Sequence, residues 1–199
     1  MKPIAVFYAT REGQTRRIAE FVAASVQTRG FEVDVRNLAQ KTDVVLTNYT
    51  AMILAASVHA GQHEREMIDF VKNHRFELDA IPTAFISATL SEAGAERVSA
   101  TDEERTRFET DVRQMIDRFC EETVWRPKRV FPVAGSLLYS KYNFLIRFIM
   151  KRISKKAGGD TDTSRDYEYT NWAALKQFVD DFCDALVYDG SESTITAVP

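Results

Sequence analysis

The chain is poor in the residues that build metal or disulfide chemistry. Its two cysteines, Cys120 and Cys183, fall in predicted helices without metal-ligand spacing. They read as small buried hydrophobes in a reducing compartment. The three histidines, His59, His63 and His74, form no zinc pattern, so no metal site is expected. No run of roughly 18 uncharged apolar residues exists, which argues against a transmembrane helix. Met1-Lys2-Pro3 leads straight into a predicted strand, so no signal peptide is expected. Two nucleotide signatures are also missing: the three-glycine dinucleotide fingerprint and the glycine-lysine loop of nucleoside-triphosphate sites. Residues 137–156 contain no acid but six bases: Lys141, Arg147, Lys151, Arg152, Lys155 and Lys156. The formal charge of −3 therefore hides a body with 20 bases against 29 acids. A basic segment on an acidic body points to a local anionic partner and away from general nucleic-acid binding.

What the sequence does contain is organised around Thr10-Arg11-Glu12-Gly13-Gln14-Thr15. The apolar run Ile4-Ala5-Val6-Phe7-Tyr8-Ala9 before it reads as a buried strand. Residues 16–29 after it place Ile18, Val22 and Val26 four apart on one helical face. Strand, hydroxyl-and-glycine turn, then helix is the layout of a phosphate site. Backbone N–H groups of the turn and the helix N-terminus face the anion, and the dipole favours its charge. Gly13 permits close backbone approach, while Thr10 and Thr15 offer hydroxyls. A site for one phosphate suits a mononucleotide; a plain strand-to-helix turn is the alternative for these six residues alone.

Further strands are predicted over 31–37, 51–56, 83–87 and 130–134, with amphipathic helices between them. Thr101-Asp102-Glu103-Glu104 reads as a capping box opening one of these, and His63 as the start of another. The last helix is expected over 171–188. Apolar strands alternating with helices predict an α/β fold with a doubly wound, five-stranded parallel sheet. Residues 1–189 form one domain in this reading, and 190–199 a disordered tail. A ligand then sits at the carboxyl ends of the strands, where strand order switches. Three loops qualify: 10–15, 57–62 (Ser57, Val58, His59, Ala60, Gly61, Gln62) and 88–94 (Ala88, Thr89, Leu90 through Gly94), the last preceded by Ser87.

With its Thr-Arg-Glu-Gly-Gln-Thr turn, this pattern resembles the flavodoxins, which implies the strand order 2-1-3-4-5 and FMN at the three loops. Further along, Ala56-Ser57-Val58, Trp125-Arg126-Pro127, Val133-Ala134-Gly135, Gly158-Gly159-Asp160-Thr161-Asp162-Thr163 and Tyr169-Thr170-Asn171-Trp172 are similar to the flavodoxin-like, quinone-dependent protoporphyrinogen dehydrogenases. The resemblance implies FMN phosphate on Thr10, Arg11, Gly13, Gln14 and Thr15, with the flavin ring between the other two loops. Glu12 departs from the usual hydroxyl of a flavodoxin turn. Its carboxylate is expected to point outward, offset by Arg11, Arg16 or Arg17. The ring loops carry no Trp or Tyr, which leaves His59 and Leu90 as the largest side chains there and one ring face open to substrate. His59 is the one candidate base in these loops; a solvent-exposed histidine is the plainer reading.

An insertion follows the fifth strand, at about 136–166. Tyr142, Leu145, Ile146, Ile149, Met150 and Ile153 give it an apolar helical face. Asn143, Arg147, Lys151 and Lys155 lie opposite, flanked by Phe144 and Phe148. Such a helix can lie in an anionic membrane interface; packing on the body or in a homo-oligomer interface is the alternative. Residues 160–163 can hydrogen-bond to the flavin loops or serve as a simple turn. The resemblance implies oxidation of protoporphyrinogen IX to protoporphyrin IX for haem synthesis, with electrons passed to menaquinone or ubiquinone. Hydride would leave a methylene bridge for flavin N5 as a pyrrole N–H loses its proton. Lys141, Phe144, Arg147, Phe148, Lys151, Arg152 and Lys155 are the expected substrate or membrane residues, and none of them is expected at the FMN loops. The implied location is the cytoplasmic side of the inner membrane, as a peripheral protein. A long-chain flavodoxin acting as a soluble electron carrier is the other class.

Overall fold

A computed structural model describes residues 2–40, 43–156 and 159–195, with the side chains of Leu145, Ile149, Ile153, Lys156 and 189–195 outside that description. Ile4–Ala9 forms β1, buried along its whole length. Gln14–Thr28 is α1 and Val33–Asn37 is β2. Ala51–His59 is β3, Gln62–His63 is β4 and Arg65–Asp79 is α2. Thr83–Thr89 is β5, Leu90–Ala95 is α3 and Asp102–Thr123 is α4. Arg129–Ala134 is β6. The chain then forms β7 (Ser136–Leu137), α5 (Phe144–Lys156), β8 (Tyr167–Glu168) and α6 (Trp172–Ile195).

The five long strands are parallel and run in the order β2-β1-β3-β5-β6. The expectation of five strands in the order 2-1-3-4-5 needs one correction. β3 continues past Ala56 to His59, turns, and pairs antiparallel with β4. The segment read as a second loop is therefore a hairpin. Its turn residues, Ala60 and Gly61, both have positive φ, the geometry that matches the twist of paired strands.

Alternation along β1 and β3 divides the core between the two faces. Ile4, Val6, Ile53 and Ala55 pack under Ile18, Val22 and Val26 of α1 and Leu175, Val179 and Phe182 of α6. Ala5, Phe7, Met52 and Leu54 face Met67 and Val71 of α2 and Phe119 of α4. Both cysteines are buried and unbridged, as expected. The capping box also forms: the Glu104 N–H donates to Thr101 Oγ1 and the Thr101 N–H to Glu104 Oε2. α6 continues past 188 to Ile195; of the expected tail, residues 196–199 lie outside the described residues.

Two elements escaped the periodicity. The segment 88–94 is not a loop: β5 runs to Thr89, whose hydroxyl accepts the Ser91 N–H and caps the short α3. His63 lies on β4, not at a helix start, and is buried. Short elements bury too few residues for a repeat to show. The insertion has its own base, since β7 and β8 pair antiparallel across it.

Candidate functional site

The phosphate turn has the build of an anion site. Gly13 takes φ 97°, a left-handed conformation that suits glycine, and its N–H donates to Thr10 Oγ1 at 3.0 Å. α1 then begins with no side chain capping it and no acid in its first turn. Its leading N–H groups are thus left for another partner. Thr15 is fully buried, yet its Oγ1 has no hydrogen-bond partner among the described residues. Ser136 Oγ is orphaned in the same way. Both residues line one cavity of about 290 Å³ at the carboxyl ends of β1, β3 and β5. Two buried hydroxyls without partners on the wall of one cavity fit a polar, anionic cofactor, because an unpaired buried polar group is costly.

Most of the expected site residues meet here. Thr10, Glu12, Gln14 and Thr15 form one wall; Ser57 to Gly61 form the second; Ala88, Thr89 and Leu90 form the third. Gln14 lines the cavity but spends its amide elsewhere, donating to Glu168 and to Thr170 Oγ1. Ser87 is fully buried and bonded to His63, so it lies behind the wall. Gly94 belongs to a neighbouring cavity. Arg11 turns to Glu64 at 3.3 Å.

Glu64, which precedes α2, is the main residue that sequence reasoning missed. Its carboxylate is buried and gathers three partners: Arg11 and Ser57 Oγ, which donates at 3.1 Å, with His59 Nε2 at 3.2 Å. The Glu64 carboxylate thus faces the Nε2 side of the His59 ring. The backbone N–H of Glu64 also donates to the Ser57 carbonyl. This bond sets the carboxylate at the base of the hairpin, a closure that no spacing in the sequence announces.

The insertion also reaches the cavity, contrary to expectation. Tyr142 and Met150 line it beside Gly135 and Ser136. Tyr142 OH donates to Glu12 Oε2 at 2.9 Å, and Lys141 Nζ donates to the Glu12 carbonyl at 2.5 Å. Burial, and then the Glu12 carboxylate, holds the Tyr142 hydroxyl well above its usual pKa. Glu12 is therefore met by the insertion rather than by a neighbouring arginine, with Tyr142 on its carboxylate and Lys141 on its carbonyl. Arg11 pairs with Glu64, Arg16 with Glu20 and Arg17 with Glu168. The cavity also gains an aromatic side chain that the loops themselves lack.

Comparison with known proteins fits this geometry. Residues 5–164 match a family described as a flavodoxin domain. The chain is 32% identical over 173 residues to a protoporphyrinogen IX dehydrogenase (quinone) of Escherichia coli (strain K12), covering 87% of this chain and 90% of that one. It is also 32% identical over 179 residues to the protein of the same name in Leishmania major, covering 89% and 73%. Among solved structures it resembles a short-chain flavodoxin associated with a PDU bacterial microcompartment, with TM-score 0.51 and 16% identity, covering 94% of this chain and 99% of that chain; this shows the fold. The chain belongs to the flavodoxin-like protoporphyrinogen IX dehydrogenase family. A flavodoxin domain implies a flavin, and the cavity at the three strand ends is where the residues fit one.

In this family member the insertion has a small core of its own, built on Leu137, Tyr139 and Tyr142, with Leu90, Met150, Tyr167 and Tyr169 packed against it. Asn143 starts α5 by accepting the Ile146 N–H. Arg147 is not part of the outer basic stripe. Its guanidinium donates to the carbonyls of Tyr139 and Tyr142 and so braces the segment entering the cavity. Lys151, Arg152 and Lys155 are exposed, with Phe144 and Phe148 beside them. Of the expected inward face, Ile146 is exposed, while Leu145, Ile149 and Ile153 lie outside the described side chains. Gly158 lies outside the described residues as well. Asp160 does not turn to the flavin loops: it accepts from Tyr139 and Ser154 within the insertion and from Tyr169 just after it. Asp162 makes a local turn with Ser164.

Proposed function

We propose that this chain oxidises protoporphyrinogen IX to protoporphyrin IX with bound FMN and passes the electrons to menaquinone or ubiquinone. One observation carries the reading beyond the family name. The cavity at the three loops adjoins a larger one of about 800 Å³, and the two share Leu90 and Met150 as walls. A pocket of the size that takes drug-sized ligands thus lies beside the cofactor pocket. Val98, Leu137 and Tyr169 give the larger cavity apolar surface for a flat ring. Met150 and Ser154 of α5 complete it, and the exposed Lys151 and Lys155 follow them in sequence, where propionates can be met. An electron carrier needs no such second space.

Bound FMN supplies the two-electron chemistry. The chain's own part is to hold and to position. Thr10, Gly13, Thr15 and the start of α1 hold the phosphate, and the hairpin and the β5–α3 junction flank the ring. His59, which lines the cavity with its Nε2 3.2 Å from Glu64, is the candidate acceptor for the pyrrole proton. Among the described residues no helix is long and apolar enough to cross a membrane. The exposed Phe144 and Phe148 with Lys151, Arg152 and Lys155 support docking on the cytoplasmic face of the inner membrane, where a lipid-soluble quinone is at hand.

The test is purification in detergent, identification of the released flavin, and a porphyrin-formation assay with and without quinone under anaerobic conditions. FMN and quinone-dependent porphyrin formation are expected. FAD, no flavin, or no turnover with either quinone overturns the reading.

A further inference from the structure

We propose that Lys141, from the insertion, is a ligand of the cofactor phosphate, so that the insertion grips FMN by its phosphate end. This rests on the FMN reading above. The phosphate turn carries an acid, Glu12, which repels an anion. The arginines nearest in sequence are committed elsewhere: Arg11 to Glu64, Arg16 to Glu20 and Arg17 to Glu168. Lys141 is the cation that lies over the turn. Its Nζ donates to the Glu12 carbonyl and comes within 3.2 Å of where a Cβ on Gly13 would stand. No carboxylate forms an ion pair with it among the described residues. An ammonium has three N–H donors, so two remain after the carbonyl is served.

The position is built rather than incidental. Lys141 sits on a single 3₁₀ turn, Tyr139–Lys141, whose first residue is fully buried and whose second is tied to Asp166 through both N–H and hydroxyl. Its neighbour Tyr142 is anchored to the Glu12 carboxylate. That bond occupies one carboxylate oxygen with a neutral donor and so partly screens its charge. A ligand at the turn is called for independently by the orphaned, fully buried Thr15 hydroxyl. Lys141 and the α1 N-terminus would then serve one anion together, the ammonium as a point charge and the backbone as oriented dipoles.

Riboflavin, which lacks the phosphate, separates this from a structural role. The full chain, freed of flavin, is titrated with FMN and with riboflavin, following flavin fluorescence, for the parent, Lys141→Gln, Lys141→Arg and Tyr142→Phe. The expected result is a loss of about tenfold in FMN affinity for Lys141→Gln, equivalent to about 1.4 kcal/mol, with riboflavin affinity unchanged. Lys141→Arg should regain most of that loss, and Tyr142→Phe should weaken FMN more than riboflavin, because it frees the Glu12 charge. Unchanged FMN affinity in Lys141→Gln overturns the proposal, as does an equal loss for both flavins. A parent that binds FMN no more tightly than riboflavin overturns the phosphate-site reading itself and the proposal with it.

Discussion

His63 illustrates how a single buried side chain makes a fold sensitive to acid. Its ring packs against Phe85 and Phe119, and Nε2 meets Ser87 Oγ at 2.9 Å. Burial pushes its pKa down from 6.5 to about 4. The unfolded chain therefore takes up a proton in a pH range where the folded one does not. The associated stability is whole above pH 6.5 and is lost as pH falls toward 4, by about 3 kcal/mol. Urea unfolding should show that decline, and His63→Gln should flatten most of it while lowering stability at pH 7. Parallel pH dependence in parent and variant would place the acid sensitivity elsewhere. At this scale the sequence was only partly legible. Thr10, Gly13 and Thr15 announce themselves because a turn between a strand and a helix has few ways to be built. Glu64 does not, and Lys141 announces its charge but not its place, because each acts through a contact made by tertiary closure; Lys141 meets Glu12 across 129 positions.

At the scale of elements, α5 carries two duties that its periodicity runs together. The turn that bears Arg147 is tied to the carbonyls of Tyr139 and Tyr142, whereas Lys151, Arg152 and Lys155 are free at the surface beside Phe148. Spacing alone put Arg147 in the outer stripe, because a helical repeat gives the face but not the neighbour that covers it. Changing Lys151, Arg152 and Lys155 together to Gln should cut flotation with anionic liposomes by at least tenfold, since each base contributes about 1 kcal/mol near such a surface. FMN binding should persist, because none of the three lines the smaller cavity. Added salt should weaken the parent's binding in the same direction. Flotation of the variant equal to the parent's would remove the membrane role from this helix. The hairpin and α3 went unread for a different reason: two-residue strands and a six-residue helix are specified by turn geometry and capping, not by a repeat.

For the whole molecule, the sheet and its two helical layers were readable because each long strand is a continuous apolar run and each long helix shows one apolar stripe. From that frame the three strand ends, and hence the cavity, follow. The frame puts the insertion near that same edge but does not say which residues it touches. The insertion closes over the phosphate turn through Lys141 and Tyr142, and through Met150 it forms the wall between the two cavities. The two cavities thereby meet at one edge of the sheet. The most direct measurement is anaerobic stopped-flow absorbance of the flavin-loaded protein mixed with protoporphyrinogen IX and then with a quinone. The expected record is loss of the oxidised-flavin band on mixing with protoporphyrinogen IX, and then, when quinone is added, recovery of that band as porphyrin absorbance rises, because the flavin takes two electrons at a time and full oxidation needs three such rounds. A band that stays unchanged while substrate is present, or one that bleaches but does not recover with quinone, contradicts the assignment.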